Sequence, residues 1–282
     1  MKNKLFNILL IVVFLAGLSL LLYPTVSNYY NSIHQTYAIQ EYAKSVDELE
    51  MNTYQTLLAE ARAYNKALAQ ERRYAIPAGY EDQYKSMLNT GNGVMAYVEI
   101  PAIDVTLPIM HTTEEPVLQK AVGHLEWSSL PIGGENTHCV ISGHRGLPSA
   151  ELFTNLDLLE EGDIFYIHVL GQTLTYLVDN ISVVLPSDYT QLGIVDGQDY
   201  LTLLTCTPYG VNSHRLLVRG TRIVSAESHT PTATLRNEIE RVDMMVLMPI
   251  LLVVFSAVVF VIMAFSGNKK RSKKGRKGDG HG

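Results

Sequence analysis

Two stretches of this 282-residue chain, residues 5–23 and 244–266, carry no charged side chain and consist mostly of Leu, Ile, Val, Phe and Met. About 20 predominantly apolar residues are enough to cross a bilayer as a helix, in which every backbone polar group finds its partner inside the segment. Each stretch is therefore read as a membrane span, the second running from Met244 to about Phe265. The first also admits a cleaved signal peptide, since Thr25 and Ser27 weakly suit a cleavage site. Its apolar run exceeds the roughly 7–15 residues of a signal core, which points to an uncleaved anchor.

Charge sets the orientation. Seven of the chain's 22 basic residues (Lys269, Lys270, Arg271, Lys273, Lys274, Arg276 and Lys277) follow the second span, and Lys2 and Lys4 precede the first. Basic flanks stay in the cytoplasm, so both termini read as inside and residues 24–243 as outside. The basic tail suits contact with anionic lipid. The outer segment keeps the remaining 13 basic residues and, with Asp279 in the tail, 27 of the 28 acidic ones, a net charge of −14. A surface of that sign repels nucleic acid.

Between the spans the texture changes twice. From Ser27 to about Gln70 there is no Pro or Gly, and apolar residues recur mostly every three or four positions, among them Ile39, Tyr42, Val46, Tyr54, Leu57, Ala61, Tyr64 and Leu68. That spacing predicts an amphipathic helix. Pro77, Gly79, Gly91 and Gly93 interrupt it. Strands are then predicted near 95–100, 105–109, 137–143, 163–169, 173–178, 179–185, 200–206 and 214–221, with short helices at 114–121 and 150–160 and a helical turn at 188–193. Many short strands divided by turns predict a mainly β, closed barrel or sandwich with one core. The resulting organisation is an N-terminal anchor or signal-anchor (1–23), a helical stalk and linker (24–92), a β domain (93–225), a juxtamembrane linker (226–243), a C-terminal span (244–266) and a basic tail (267–282).

Two segments hold residues capable of chemistry. In TLLTCTPYGVNSHRLLVRG, residues 202–220, a buried strand ends at Cys206, turns at Pro208-Tyr209-Gly210 and returns past Arg215. A nucleophilic thiol needs a neighbouring cation or histidine. Arg215 keeps its proton, so its roles would be to clamp substrate or stabilise an oxyanion. In NTHCVISGHRG, residues 136–146, a strand leads to His144, a residue type that exchanges protons near neutral pH. The residues alone leave other readings open. A strand-end cysteine is commonly a small core residue, and His111, His124, His138 and His214 compete with His144. Cys139, mid-strand, reads as core. Paired metal-ligand spacing, a phosphate loop and a G-x-S-x-G elbow are all missing from the sequence. No metal or cofactor is predicted, and no ordered calcium loop is recognisable among the acids. A different class of protein, a non-catalytic surface scaffold with Cys139 bridged to Cys206, stands as the rival; two free thiols would exclude it.

These segments, with GVMAYVEIPAIDVTLPIMH (93–111), VGHLEWSSLP (122–131) and GGENTHCVISGHRGLPSAELF (133–153), resemble class C, pilus-assembling sortases of Gram-positive bacteria. The resemblance covers about residues 93–222, and the two-span layout suits that class. It implies an eight-stranded closed β-barrel with Cys206, His144 and Arg215 around one groove, needing no cofactor. It further implies that Cys206 cleaves an LPXTG-type sorting signal between Thr and Gly. The thioester then passes to an amine, a pilin lysine for polymerisation or a peptidoglycan amine for wall anchoring. Many relatives carry an Asp-Pro-aromatic lid that plugs the site. Here RRYAIPAGYEDQY, residues 72–84, has no such triplet and reads as a linker, so Tyr80→Ala is expected to leave peptide turnover little changed.

Overall fold

The computed structural model describes residues 2–223 together with 251 and 253–258, which are helical. The basic tail, the 226–243 linker and most of the 244–266 span lie outside the described residues. The chain opens with α1 (Lys2–Asp47), which runs unbroken through Pro24 and is about 69 Å long at 1.5 Å per residue. Among the described residues it is the one helix long and apolar enough to cross a membrane. Its first half presents Phe6, Leu9, Val13, Leu20 and Leu21 to the surroundings. Its second half buries Ile39 and Tyr42 against Val94 and Tyr97 of the barrel.

The expected single stalk helix is instead two. After α1 the chain turns over 48–50 and resumes as α2 (Met51–Glu71), with Glu50 extended at the junction. No Gly or Pro marks this break. Charge does not cause it, since Asp47 and Glu48 are unfavourable beside a helix C-terminus and only Glu50, at the start of α2, suits the adjoining partial positive charge. The break lets α2 bury Ala61, Tyr64, Asn65 and Leu68 against the barrel.

The barrel comprises β1 (Val94–Ile100), β2 (Val105–His111), β3 (Val122–His124), β4 (Thr137–Ser142), β5 (Ile164–Val169), β6 (Gln172–Val184), β7 (Asp199–Thr207) and β8 (His214–Ile223). It closes in the order β1-β2-β3-β4-β7-β8-β6-β5. Neighbours are antiparallel except β2/β3 and β4/β7, which are parallel. Closure removes the exposed edges that an open sheet would present.

Eight strands were expected and eight are present, but they are not the same eight. The three-residue β3 is too short to show a period. The predicted 173–178 and 179–185 are one strand, bent where the register against β8 shifts between Val178 and Asn180. Asp179, at that bulge, holds Arg219 through two hydrogen bonds of 2.9 and 3.1 Å. Residues 150–160 form turns with one 3-10 turn at Leu156–Leu158 instead of a helix, because Leu152 takes a positive φ of 43°. That bend turns Leu152, Phe153, Leu156 and Leu159 all into the core. The 114–121 helix shortens to α3 (Glu115–Leu118), and the turn at 188–193 is a 3-10 turn at Thr190–Leu192.

Side chains alternate across the sheet as strand geometry requires. Cys139, Ile141, Leu201, Leu203, Leu216 and Val218 point into the barrel with Phe165 and Ile167. Their neighbours Val140, Leu204 and Leu217 face outward, and with Val184 they form an apolar strip under Leu192, Leu125 and Trp127. One side chain locks α1 to this body. The Tyr42 hydroxyl donates to the Met95 carbonyl at 3.0 Å and accepts from the Leu170 N–H at 2.9 Å. Burial pushes its pKa up to about 12, so it stays protonated. Tyr42→Phe leaves that N–H unpaired and is expected to cost about 1–3 kcal/mol, measured by chemical denaturation of the full chain in detergent, followed by Trp127 fluorescence.

Candidate active site

The outward row that carries the apolar strip ends in three polar side chains. Cys206 lies two residues beyond Leu204 on β7, and its register partner on β8 is Arg215. On the other side, β4 runs parallel to β7 with Ser142 opposite Leu204. The pairing continues past the end of β4: Gly143 N–H donates to the Leu204 carbonyl at 3.0 Å, and Thr205 Oγ1 donates to the Gly143 carbonyl at 2.8 Å. The next residue is His144. One register thus sets the backbone of Arg215 opposite Cys206 and brings the chain just before His144 alongside β7 on the other side.

The approach of β4 to its surroundings here requires glycine. A Cβ on Gly143 would sit 2.7 Å from Phe153 Cδ2 and 2.9 Å from Val122 Cγ1. After Gly143 the chain is pinned again, since Phe153 N–H donates to the His144 carbonyl at 3.1 Å.

His144 Nε2 is buried without a hydrogen-bond partner among the described residues and lies 3.5 Å from the Glu115 carboxylate, a charge contact longer than a hydrogen bond. Glu115 is held below the usual carboxylate range, first by a hydrogen bond from Gln119 and further by His144. It therefore presents a negative charge to the imidazole at neutral pH. Arg215 Nη1 donates to the carbonyls of Asn212 (3.3 Å) and His214 (3.1 Å), and among the described residues it has no carboxylate partner. Its remaining N–H groups are available to a ligand. Arg145 differs: its side chain is paired with Asp157, donates to Thr207 Oγ1 at 3.3 Å and lies 5.9 Å from the Tyr209 ring centroid. It ties the segment after His144 to the segment after Cys206.

Neither Glu115 nor Arg145 stood out in the sequence. Arg145 adjoins His144 and so was visible as a neighbour. Glu115 comes from a separate element, and no local pattern links it to the site.

The competing residues are accounted for. Cys139 faces the interior, where burial pushes its thiol pKa well up. It is opposite Leu201 on β7, five residues from Cys206, or about 17 Å at strand spacing. That is beyond disulfide reach, and both thiols are free. His111 bonds the Met87 carbonyl at 2.7 Å. His124 bonds Tyr84 at 2.8 Å and the Ser129 carbonyl at 2.9 Å. His138 bonds Thr202 Oγ1 at 2.7 Å and the Gly193 carbonyl at 2.9 Å, which fastens the loop over the apolar strip. His214 contacts only Ser213 through its Nδ1, at 2.9 Å. Among the described residues no cluster of three or more His, Cys, Asp or Glu is arranged to hold a metal.

The 72–84 segment lies at the other end of the strip. Arg72 pairs with Asp196, and Tyr74 meets Trp127 edge-on and donates to the Tyr189 carbonyl at 3.0 Å. Tyr80 packs edge-on against Tyr64. None of its described hydrogen bonds, ion pairs or ring contacts reaches Cys206, His144 or Arg215.

Comparison with known proteins agrees with this architecture. Residues 98–223 match the sortase domain model. The crystal structure of sortase C1 from Streptococcus agalactiae is 47% identical, with a TM-score of 0.64, covering 67% of this chain and 98% of that one. Sortase C from Streptococcus pneumoniae is also 47% identical, with a TM-score of 0.61 and the same coverage. Sortase D of Bacillus subtilis (strain 168) is 29% identical over 143 residues, 50% of this chain and 68% of its own length. The chain belongs to the sortase family, the cysteine transpeptidases. Within it, the solved relatives just described are class C enzymes.

The buried histidines predict how stability responds to pH. Burial pushes His124 and His138 down to about 4, whereas both titrate near 6.5 when unfolded. Between those values the unfolded chain binds protons that the folded chain does not. Stability is therefore expected to fall as pH drops from about 6.5 to about 4, by on the order of 1 kcal/mol per pH unit for each histidine. Denaturation midpoints across that range check this, and His138→Gln is expected to flatten the slope.

Proposed function

We propose that Cys206 is the nucleophile of this transpeptidase, with His144 as proton carrier and Arg215 as clamp for the substrate and the oxyanion. The reading rests chiefly on one observation: a single strand register sets Cys206 opposite Arg215 and, through β4, beside His144. The Cys206 thiolate attacks the Thr carbonyl of an LPXTG-type signal. The C–N bond breaks, and the departing Gly amine takes a proton from the His144 imidazolium. An incoming amine then attacks the thioester, returning its proton to His144 and the electron pair to Cys206 Sγ. The unpaired N–H groups of Arg215 stabilise the oxyanion in both halves.

The acceptor is a pilin lysine, so that the product is an isopeptide-linked polymer. The 47% identity to streptococcal class C enzymes over nearly their whole length supports this, as does a further sortase C1, from a pilus island, at 42% identity. The catalytic unit, residues 93–225, stands outside the cell on the 24–92 stalk. The 1–23 anchor and the 244–266 span place both termini in the cytoplasm against membrane lipid. Residues 72–84 act as a linker and not as an inhibitory lid.

The test is intact-mass analysis of the full chain in detergent after mixing with an LPXTG-type peptide. An acyl-fragment adduct is expected in the wild type and in Cys139→Ala, and none in Cys206→Ala, with turnover at least 10³-fold lower. An adduct persisting in Cys206→Ala would refute the assignment.

A further inference from the structure

A transpeptidase must bring two polypeptides to one thiol. The strip runs back from Cys206 along β4, β7 and β8 toward His138. In the opposite direction, past the ends of β4 and β7, a cavity of about 460 Å³ opens. One wall is Gly146 and Tyr209, two residues after His144 and three after Cys206, which approach so closely that a Cβ on Gly146 would lie 2.8 Å from the Tyr209 ring. The other wall is α1 just beyond its apolar run, at Thr25, Asn28 and Tyr29. The two walls are fastened together. Glu151 N–H donates to Asn28 Oδ1 at 2.8 Å, and Asn31 Nδ2 donates to the Ser149 carbonyl at 2.6 Å.

The charge of this cleft selects its guest. Glu151 lines it and is exposed, its Oε1 accepting only a side-chain amide hydrogen bond, from Asn155 at 2.6 Å. No Lys or Arg lines it, and Arg145, adjacent in sequence to Gly146, is already paired with Asp157. An ammonium group is favoured there, and a carboxylate is repelled.

We propose that the cleft between the first turns of α1 beyond the membrane and the 146–154 segment admits the acceptor, holding its lysine-type ammonium against Glu151 beside the thioester. This rests on Cys206 being the acylated residue. The ammonium gives one proton to water, and its nitrogen then forms the new C–N bond. The C–S bond breaks with its electron pair on Cys206, and the second proton passes to His144. Because α1 supplies one wall, the helix that anchors the enzyme also shapes the site for its second substrate.

The experiment acylates the full chain in detergent micelles with an LPXTG-type peptide and measures transfer relative to hydrolysis. The adduct itself serves as the reference. A lysine-containing peptide is compared with hydroxylamine, which is uncharged at neutral pH. Glu151→Gln keeps the acceptor for Asn155 and removes only the charge. It is expected to lower the transfer-to-hydrolysis ratio about tenfold for the lysine peptide and not for hydroxylamine. Thr25→Trp, which fills the cleft from the α1 side, is expected to lower transfer of the lysine peptide by at least as much. An unchanged lysine ratio in both variants with the adduct intact, or an equal fall for both nucleophiles in Glu151→Gln, overturns the proposal. Absence of the adduct in the wild type would instead sink the Cys206 assignment, and the cleft reading with it.

Discussion

The parallel pairing of β4 with β7 is the constraint on which the site depends. A strand register is discrete: slipping it by one residue would turn each outward side chain inward and bury Cys206 or His144 in the core. The interior side chains Cys139, Ile141, Leu201 and Leu203 resist that slip, because each would exchange a packed position for an exposed one. The Thr205–Gly143 hydrogen bond, with Thr205 fully buried, extends the register past the last ladder residue. Cys206 therefore directly follows a stretch where the register is pinned by both ladder and side-chain hydrogen bonds. It also lies where the regular pairing stops and a substrate backbone can enter.

The barrel's outer surface is as organised as its interior. The apolar strip of Val140, Val184, Leu204 and Leu217 is roofed by a loop that His138, Tyr74 and Arg72 hold from beneath and beside. Burial keeps His138 neutral near physiological pH, so its ring serves as a hydrogen-bonded post. The histidines in this fold thus divide by environment. His124 and His138 are neutral structural links, whereas His144 has an unsatisfied nitrogen directed at a carboxylate.

α1 joins its apolar N-terminal half to the barrel without a joint. A continuous helix transmits position along its axis, and the Tyr42 contacts to Met95 and Leu170 fix the body against it. Its Asn28 and Asn31 meet the loop that follows His144 only a few residues beyond the apolar run. At 1.5 Å per residue, that loop stands about 10 Å from the end of the apolar segment. The end of the barrel that carries Cys206 therefore lies toward the apolar half of α1 and not on the far side of the domain.

Much of this was legible along the chain because its signals are local. The alternation around Leu201, Leu203 and Cys206, the turn at Pro208-Tyr209-Gly210 and the return through Arg215 define a hairpin, so the Cys206–Arg215 neighbourhood follows from sequence spacing. The apolar run at 5–23 and the helical period after it are equally local. What stayed hidden depended on partners distant in sequence. The break at 48–50 carries no Gly or Pro and shows only in where α2 packs. β3 is too short for a period and exists because β2 and β4 hold it. The single bent β6 looked like two strands because the bulge at Asp179 mimics a turn. Glu115 reaches His144 only through the closed barrel. The sequence by itself determined where most of the strands fall, which residues are apolar and which can react. Only the tertiary structure decided that β4, which leads to His144, runs beside β7, which carries Cys206, because that depends on a register between strands more than 60 residues apart.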